Sequence, residues 1–478
     1  MAHFLLPSTP LYGHITPMVA IGRGLLARGH SVTLLTGRKY QRVVESLGMR
    51  FLALPPEVDY DDARLDQWLP GRDHYRGLAA ARHDILGIFV RPLPAQHQAL
   101  VEALAASCYD AVVCESAFLG AVPLLLTVPS ADRVPIVGVS VTPLSVTSVD
   151  CAPFGSCLPP GDSAHTRRRN RFINAVLRSG PLRPIQTELD AALSAVGSPR
   201  APGSYFDLAT CFDETFQLAV PGLEYPRREL PSTVRFVGPL RSDDASVPRH
   251  PSWWHDLDGS RPVVHVTQGT MANADLGRLL VPTICALANS DVLVVAATGG
   301  RPISGLLDRF GGRLPDNVRA AEFLPYAELL RKTAVMVTNG GFGGVQQALT
   351  AGVPLVVAGD TEDKPEVAAR VAWAGAGVNL WTGAPSPARL GRAVAKVLRD
   401  PRYRLAAQRL QREIATHGDP VPTIIDSLEQ RISSAGPAVP ASRPLSLASR
   451  RDSTDRSAAS ARRRKPQRRA RRARRDAA

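Results

Sequence analysis

The chain has 478 residues, 44% of them hydrophobic and 21% charged, with a formal net charge of +14. That length exceeds what one hydrophobic core usually supports, and the composition is that of a globular chain rather than a fibrous one. The most apolar stretch, Leu119–Pro129, is too short for a membrane span and is broken by Pro123.

In chain order, the first 140 residues alternate short apolar runs with amphipathic stretches, as βα units of a parallel sheet do. Strands are predicted at Ala2–Pro7, Ser31–Thr36, Arg50–Leu54, Ala111–Cys114 and Pro135–Val139. Helices are predicted at Thr16–Arg28, closed by Gly29, and at Pro94–Ala106. Residues 146–203 begin Pro-, Gly-, Ser- and Arg-rich and then turn helical, which reads as an insertion shaping a pocket. Two further strands are expected near Phe216–Val220 and Val234–Val237. A second alternating series follows, with strands near 262–267, 292–297, 318–320, 335–338, 354–357 and 378–380. The expected architecture is α/β: two Rossmann-like domains facing across a cleft, where open parallel sheets bind ligands at the carboxyl ends of their strands. The domains are residues 1–238 and 261–433, the latter with closing helices, joined by a linker at 239–260.

From residue 434 the chain changes character. Between Arg443 and Ala478 stand fourteen Lys and Arg against three Asp, so the high net charge belongs to a tail, and about +3 remains for everything else. An Arg/Ala/Ser-rich block of this kind is expected to be disordered, with non-specific anionic contacts at most. The N-terminus MAHFLLPSTP has no basic region, long apolar region or cleavage site, so no export signal and a cytoplasmic location are expected. The six cysteines show no CxxC pair or Cys/His metal spacing, which suits reduced thiols.

The chemistry concentrates at VMVTNGGFGGVQQALTAGVPLVV. An apolar strand runs directly into Asn339-Gly340-Gly341, and a helix follows. Glycines let backbone approach a phosphate, while free N–H groups and the helix dipole favour negative charge, so a diphosphate fits. No GxxxxGK[ST] is present, and the first strand leads into Ser8–Gly13 rather than GxGxxG, which argues against a P-loop ATPase and against NAD in the first half. Asp59-Tyr60-Asp61 and Asp256-Leu257-Asp258 match a DxD pattern, but neither follows an apolar strand, and no metal is expected.

Several separate motifs carry a resemblance: PLYGHITPMVAIGRGLLARGH at the start, FVGP at 236–239, HVTQGT at 265–270, FLPYAELL at 323–330, and TNGGFGGVQQALTAGVPLVV with TEDKPEVAARVAWAGAGVNL to 380. Together they resemble family 1 glycosyltransferases, the UDP-glycosyltransferase-like inverting enzymes of GT-B fold, in their bacterial subgroup, over nearly the whole chain to about residue 433. The resemblance implies that Phe323 and the Leu324–Pro325 backbone border the nucleotide base. It implies that Thr270 and the turn Asn339, Gly340, Gly341, Gly343 and Gly344 hold the diphosphate. Gln347 would face the ribose, and Asp363 and Lys364 the donor-sugar hydroxyls. The family usually has His at 339, Glu at 347 and Gln at 364, so this chain departs at three donor positions. His14 takes the place of the family's general base. A carboxylate should orient it from the end of the strand Ala111–Cys114, where Glu115 stands, with Asp110 as the alternative.

The expected function is transfer of a hexose or deoxyhexose from a UDP- or TDP-sugar, a co-substrate rather than a cofactor, to a hydroxyl of an apolar small molecule or lipid. Two other readings stay open. One is a sugar-nucleotide-binding protein without turnover, and the other a nucleic-acid-associated protein acting through the basic tail.

Overall fold

A computed structural model describes residues 1–241, 249–270 and 273–434. The tail lies outside these residues, apart from Ser434, and so does the centre of the expected linker. Among the described residues the strands form two all-parallel sheets.

The first sheet contains β1 (His3–Pro7), β2 (Ser31–Thr36), β3 (Arg50–Ala53), β4 (Ala111–Glu115), β5 (Ile136–Ser140), β6 (Thr215–Gln217) and β7 (Val234–Phe236), in the order β3-β2-β1-β4-β5-β6-β7. The second contains β8 (Val263–Thr267), β9 (Leu293–Ala297), β10 (Val318–Ala321), β11 (Thr333–Thr338), β12 (Leu355–Val357) and β13 (Gly377–Asn379), in the order β10-β9-β8-β11-β12-β13. The central strands are mostly apolar because helices cover both faces; β4, β5, β8 and β9 are buried at every residue, the polar Glu115, Ser140, His265 and Thr267 included. In each sheet the strand order reverses once, between β1 and β4 and between β8 and β11. The diverging loops there open a crevice.

Three details depart from the expected elements. The first helix starts at Tyr12 rather than Thr16, because the Leu11 carbonyl accepts both the His14 and Ile15 N–H groups. His14 therefore stands in the first helical turn and not in the loop before it. Within the insertion at 146–203, helix Arg183–Ala195 buries Ile185, Leu189 and Leu193 against Leu86, Val90 and Leu93. Three apolar side chains at helical spacing make it a core element.

The last helix, Pro420–Ser434, also breaks the expected division. It follows the second sheet in sequence but packs on the first, placing Ile424, Ile425 and Leu428 in the cluster of Met18, Ile21 and Leu25. Each such burial is worth roughly 1.5–3 kcal/mol. Gly24 permits the approach, since a Cβ there would lie 2.3 Å from Val421 Cγ1. Arg28 extends the contact with ion pairs to Asp426 and Glu429.

Candidate active site

Each reversal point carries its own set of candidate groups, and the halves meet beside them where Arg72 pairs with Glu362. At the first, β1 leads into the helix bearing His14, and β4 ends on Glu115. Glu115 is fully buried, and its Oε1 accepts the Ala117 N–H at 2.7 Å, which fixes the carboxylate. Its Oε2 lies 3.1 Å from His14 Nδ1, at ion-pairing distance but short of an aligned hydrogen bond. The His14 side chain is 12% exposed, and its ring lies 5.7 Å from that of Phe89. Burial opposes protonation of this ring. The Glu115 carboxylate, and then Asp363 and Glu362 from the other half, outweigh burial and raise the pKa above the usual imidazole value. With Glu115 beside Nδ1, the proton is favoured there and Nε2 is left as the basic nitrogen. Asp110, the alternative partner, stands at the opposite end of β4, where its Oδ2 accepts the His3 N–H at 2.7 Å.

At the second reversal point the groups are mainly backbone. Gly340 has φ +90°, and a Cβ on it would lie 2.7 Å from Val357 Cγ1; only glycine makes this turn without strain. Helix Phe342–Thr350 follows directly, and its first N–H groups have no acceptor within the helix. A Cβ added at Gly343 would meet nothing within 4 Å, so there is room in front of those donors. This is an anion-binding geometry.

The Asn339 side chain does not face that room as a free donor. Its Nδ2 donates to the Gln268 carbonyl at 2.5 Å and its Oδ1 accepts the Gly341 N–H at 3.4 Å, so it ties the loop after β8 to the loop after β11. Asn273 performs the same service on the next loop, donating to the carbonyls of Gly269, Thr298 and Gly299. Thr270 is exposed at the end of the β8 loop, and Gln347 is half-buried on the helix. The Phe323 ring is 54% exposed and lies over Gly300, where a Cβ would come within 2.8 Å of it. Leu324 turns its side chain into the core with Val295 and Leu329, so only its backbone can border a ligand.

Asp363 and Lys364 open the helix Lys364–Trp373. Burial raises the Asp363 carboxyl against the pull of Lys364. Lys364 is buried and its ammonium contacts Glu362. Glu362 has the left-handed φ of +57°, costly for a residue with a side chain. Arg72 reaches it from the first half at 3.1 Å while also pairing with Asp84 at 2.9 Å. Although burial works the other way, Lys364 and Arg72 hold the Glu362 carboxyl down at about 2. The sequence had singled out neither Arg72 nor Glu362; an isolated Arg in a polar loop carries no periodicity or motif.

The acidic pairs of the DxD matches are engaged locally. Asp59 accepts the Arg38 N–H, Asp61 the Ala63 N–H, Asp258 the Ser260 N–H, and Asp256 pairs with Arg319. Among the described residues no group of three or more His, Cys, Asp or Glu is placed to hold a metal ion, and no helix is long and apolar enough to cross a membrane. The six cysteines are free thiols.

The chain is similar to known proteins over most of its length. Residues 286–430 match the family described as "Erythromycin biosynthesis protein CIII-like, C-terminal domain". The chain is 38% identical over 429 residues to 4'-demethylrebeccamycin synthase of Lentzea aerocolonigenes, covering 90% of this chain and 99% of that protein. It is 35% identical over 444 residues to UDP-glycosyltransferase 2 of Phaeomoniella chlamydospora, covering 90% and 95%. Among solved structures, the glycotransferase of kitacinnamycin superposes with a TM-score of 0.65 at 22% identity, covering 90% of this chain and 98% of that one. The calicheamicin glycosyltransferase CalG4 does so with a TM-score of 0.65 at 21% identity, covering 91% and 100%. These last two likenesses establish the two-sheet fold.

Proposed function

This chain belongs to the family 1, UDP-glycosyltransferase-like glycosyltransferases of GT-B fold, and from that premise we propose that it moves a hexose or deoxyhexose from a UDP- or TDP-sugar to a hydroxyl of an apolar small molecule or lipid, with His14 as general base. The observation that carries this reading is the His14–Glu115 pair at the first reversal point, opposite the Glu362–Lys364 loop.

A neutral hydroxyl is a poor nucleophile, so its proton must leave as the oxygen attacks the anomeric carbon. His14 Nε2 takes that proton, and Glu115 keeps the other ring nitrogen protonated and steadies the imidazolium, a base–orienter arrangement. The bond from the anomeric carbon to the donor oxygen breaks with its electron pair passing to the diphosphate, and attack from the opposite face inverts the configuration. The charge that develops on the diphosphate is met by the free N–H groups at the start of helix Phe342–Thr350, which are preorganised and need no rearrangement. Phe323 offers a stacking face for the base. Asp363 and Lys364 would meet the donor-sugar hydroxyls, with Lys364 held in place by Glu362.

The donor class is supported by relatives named as UDP-glucosyltransferases, and TDP by the spinosyn rhamnosyltransferase SpnG, a fold neighbour described in complex with thymidine diphosphate. A natural-product or lipid-type acceptor is supported by a spinosyn aglycone complex described for that neighbour and by the mycobacterial PGL/p-HBAD biosynthesis rhamnosyltransferase, which is 39% identical over 199 residues, 41% of this chain. A protein that merely bound sugar nucleotides would have no use for an oriented base.

The test compares wild type and His14→Ala against a panel of UDP- and TDP-sugars with hydroxylated apolar acceptors. Transfer by the wild type and a loss of about 10²-fold or more in kcat for the variant is the expected result. Full transfer by His14→Ala overturns the mechanism.

A further inference from the structure

The two halves are joined by buried charge away from His14. Helix Lys364–Trp373, which begins at the donor-sugar residues, carries Glu366 in its first turn and Arg370 one turn later. Arg370 is 1% exposed, and Glu366 is buried as well. The Arg370 Nη1 pairs with Glu366 Oε2 at 2.6 Å, its Nε donates to Glu224 Oε2 at 2.8 Å, and its Nη2 donates to the Leu144 carbonyl at 3.0 Å. The guanidinium lies over the Tyr225 ring, 4.4 Å from its centroid. Glu224, Tyr225 and Leu144 all belong to the first half.

The other ends of both carboxylates hold one loop. Glu366 Oε1 accepts the N–H groups of Gly155 and Cys157, each at 2.8 Å, and Glu224 Oε1 accepts the Leu144 N–H at 2.8 Å. The loop from 144 to 157 leaves the carboxyl end of β5, two strands from His14's β1 in the sheet order. It contains Gly155 at φ +90° and Cys157 at φ +55°, and the latter is a conformation an L side chain keeps only when its surroundings impose it. A buried carboxylate–guanidinium–carboxylate triad is a poor way to gain stability, because apolar replacements of similar volume often do as well. What such a triad supplies is geometry.

We propose that Glu366 and Arg370 are positioning residues that shape the 144–157 loop of the acceptor side from the donor-sugar helix, so that the acceptor pocket is complete only with the donor half in place. This rests on the transferase reading above, in which the first half binds the acceptor. The triad links the two substrates: a shift of the helix that begins at Asp363 and Lys364 is transmitted by Glu366 to Gly155 and Cys157, and by Arg370 to Leu144.

The experiment measures steady-state transfer and donor hydrolysis for the full chain as wild type, Glu366→Gln, Glu224→Gln and Arg370→Lys, with folding followed by thermal melting. Glu366→Gln keeps the shape but turns an amide donor toward a site that needs two acceptors. The expected result is an acceptor KM raised about tenfold in Glu366→Gln and Glu224→Gln, donor KM within about twofold, and a larger share of donor lost to water. Arg370→Lys keeps the charge and should fall between these and wild type. Combined, Glu224→Gln and Glu366→Gln should be less than additive, because both release the same loop. Acceptor KM unchanged in folded variants overturns the proposal, and so does an equal rise in both KM values, which marks a merely structural role. If neither Glu366→Gln nor Arg370→Lys folds, the triad is a folding element and the proposal is overturned as well. A wild type without transfer activity would instead strike the reading on which it rests.

Discussion

The two sheets share one order over six strands, with β7 added at the edge of the first, and each opens a crevice at its reversal point, yet they arm that crevice differently. The first half places side chains there: a histidine in the first turn of a helix and a buried glutamate at the end of β4. The second half places mainly backbone at its reversal point, a glycine turn and a row of helical N–H groups, and the Asn339 side chain there ties two loops together. The difference suits the work proposed for each. Proton transfer needs a group whose pKa is near the working pH, which only a side chain provides. A diphosphate needs several fixed donors at once, which a helix N-terminus provides without side-chain entropy loss. Single substitutions should therefore break the halves in different ways.

The largest expected effect is on the side-chain wall: His14→Ala should lower kcat by about 10²–10⁴-fold while the protein still melts as one folded species. Next comes Glu115→Gln, expected to lower kcat by more than about tenfold and by no more than His14→Ala does, because an amide in place of the orienting carboxylate favours the wrong imidazole tautomer. Its pH profile sharpens the point. Since Glu115 raises the His14 pKa and only the neutral ring is a base, wild-type kcat/KM should fall as pH drops through a value above that of free imidazole. Without the carboxylate the imidazolium is less stable, so the acid limb of Glu115→Gln should move to lower pH.

On the backbone wall, Gly343→Val should raise donor KM at least about tenfold, because the new side chain fills the room in front of the helix donors. The surrounding protein leaves a Cβ there unopposed, and glycine is a weak helix former, so stability should hold within about 1 kcal/mol. Asn339→Ala should give the smallest change. Losing the bonds to Gln268 and Gly341 costs about 1–3 kcal/mol of stability, visible in thermal melting, with a donor KM raised only a few-fold because the amide is not itself aimed at the ligand.

The two walls were also unequally legible in the sequence. Both could be placed in order along the chain, because parallel strands buried on both faces read as continuous apolar runs, and a strand running into Asn-Gly-Gly and a helix is a local pattern. His14 and Glu115 lie about a hundred residues apart, and their pairing was implied by the family resemblance, with Asp110 as the alternative, rather than by any local signal. What the sequence hid was contact made at a distance. Arg72 meets Glu362 across the cleft, Asn339 turns its amide to Gln268, and the last helix crosses back onto the first sheet. None of these has a periodicity of its own. The last helix shows the apolar stripe of any amphipathic helix, and nothing in that stripe says which half it will cover. Departures from the family pattern at 339 and 364 were visible, but not that Asn339 ties loops or that Lys364 is held by Glu362.

The division of labour between the walls is tested most directly by measuring UDP and TDP dissociation constants alongside single-turnover transfer rates for wild type, His14→Ala and Gly343→Val. The account predicts that His14→Ala binds the nucleotide as wild type does and loses the chemical step, while Gly343→Val loses binding and, at saturating donor, keeps most of the rate. Transfer at the wild-type rate by His14→Ala, or nucleotide binding by Gly343→Val undiminished, would contradict it.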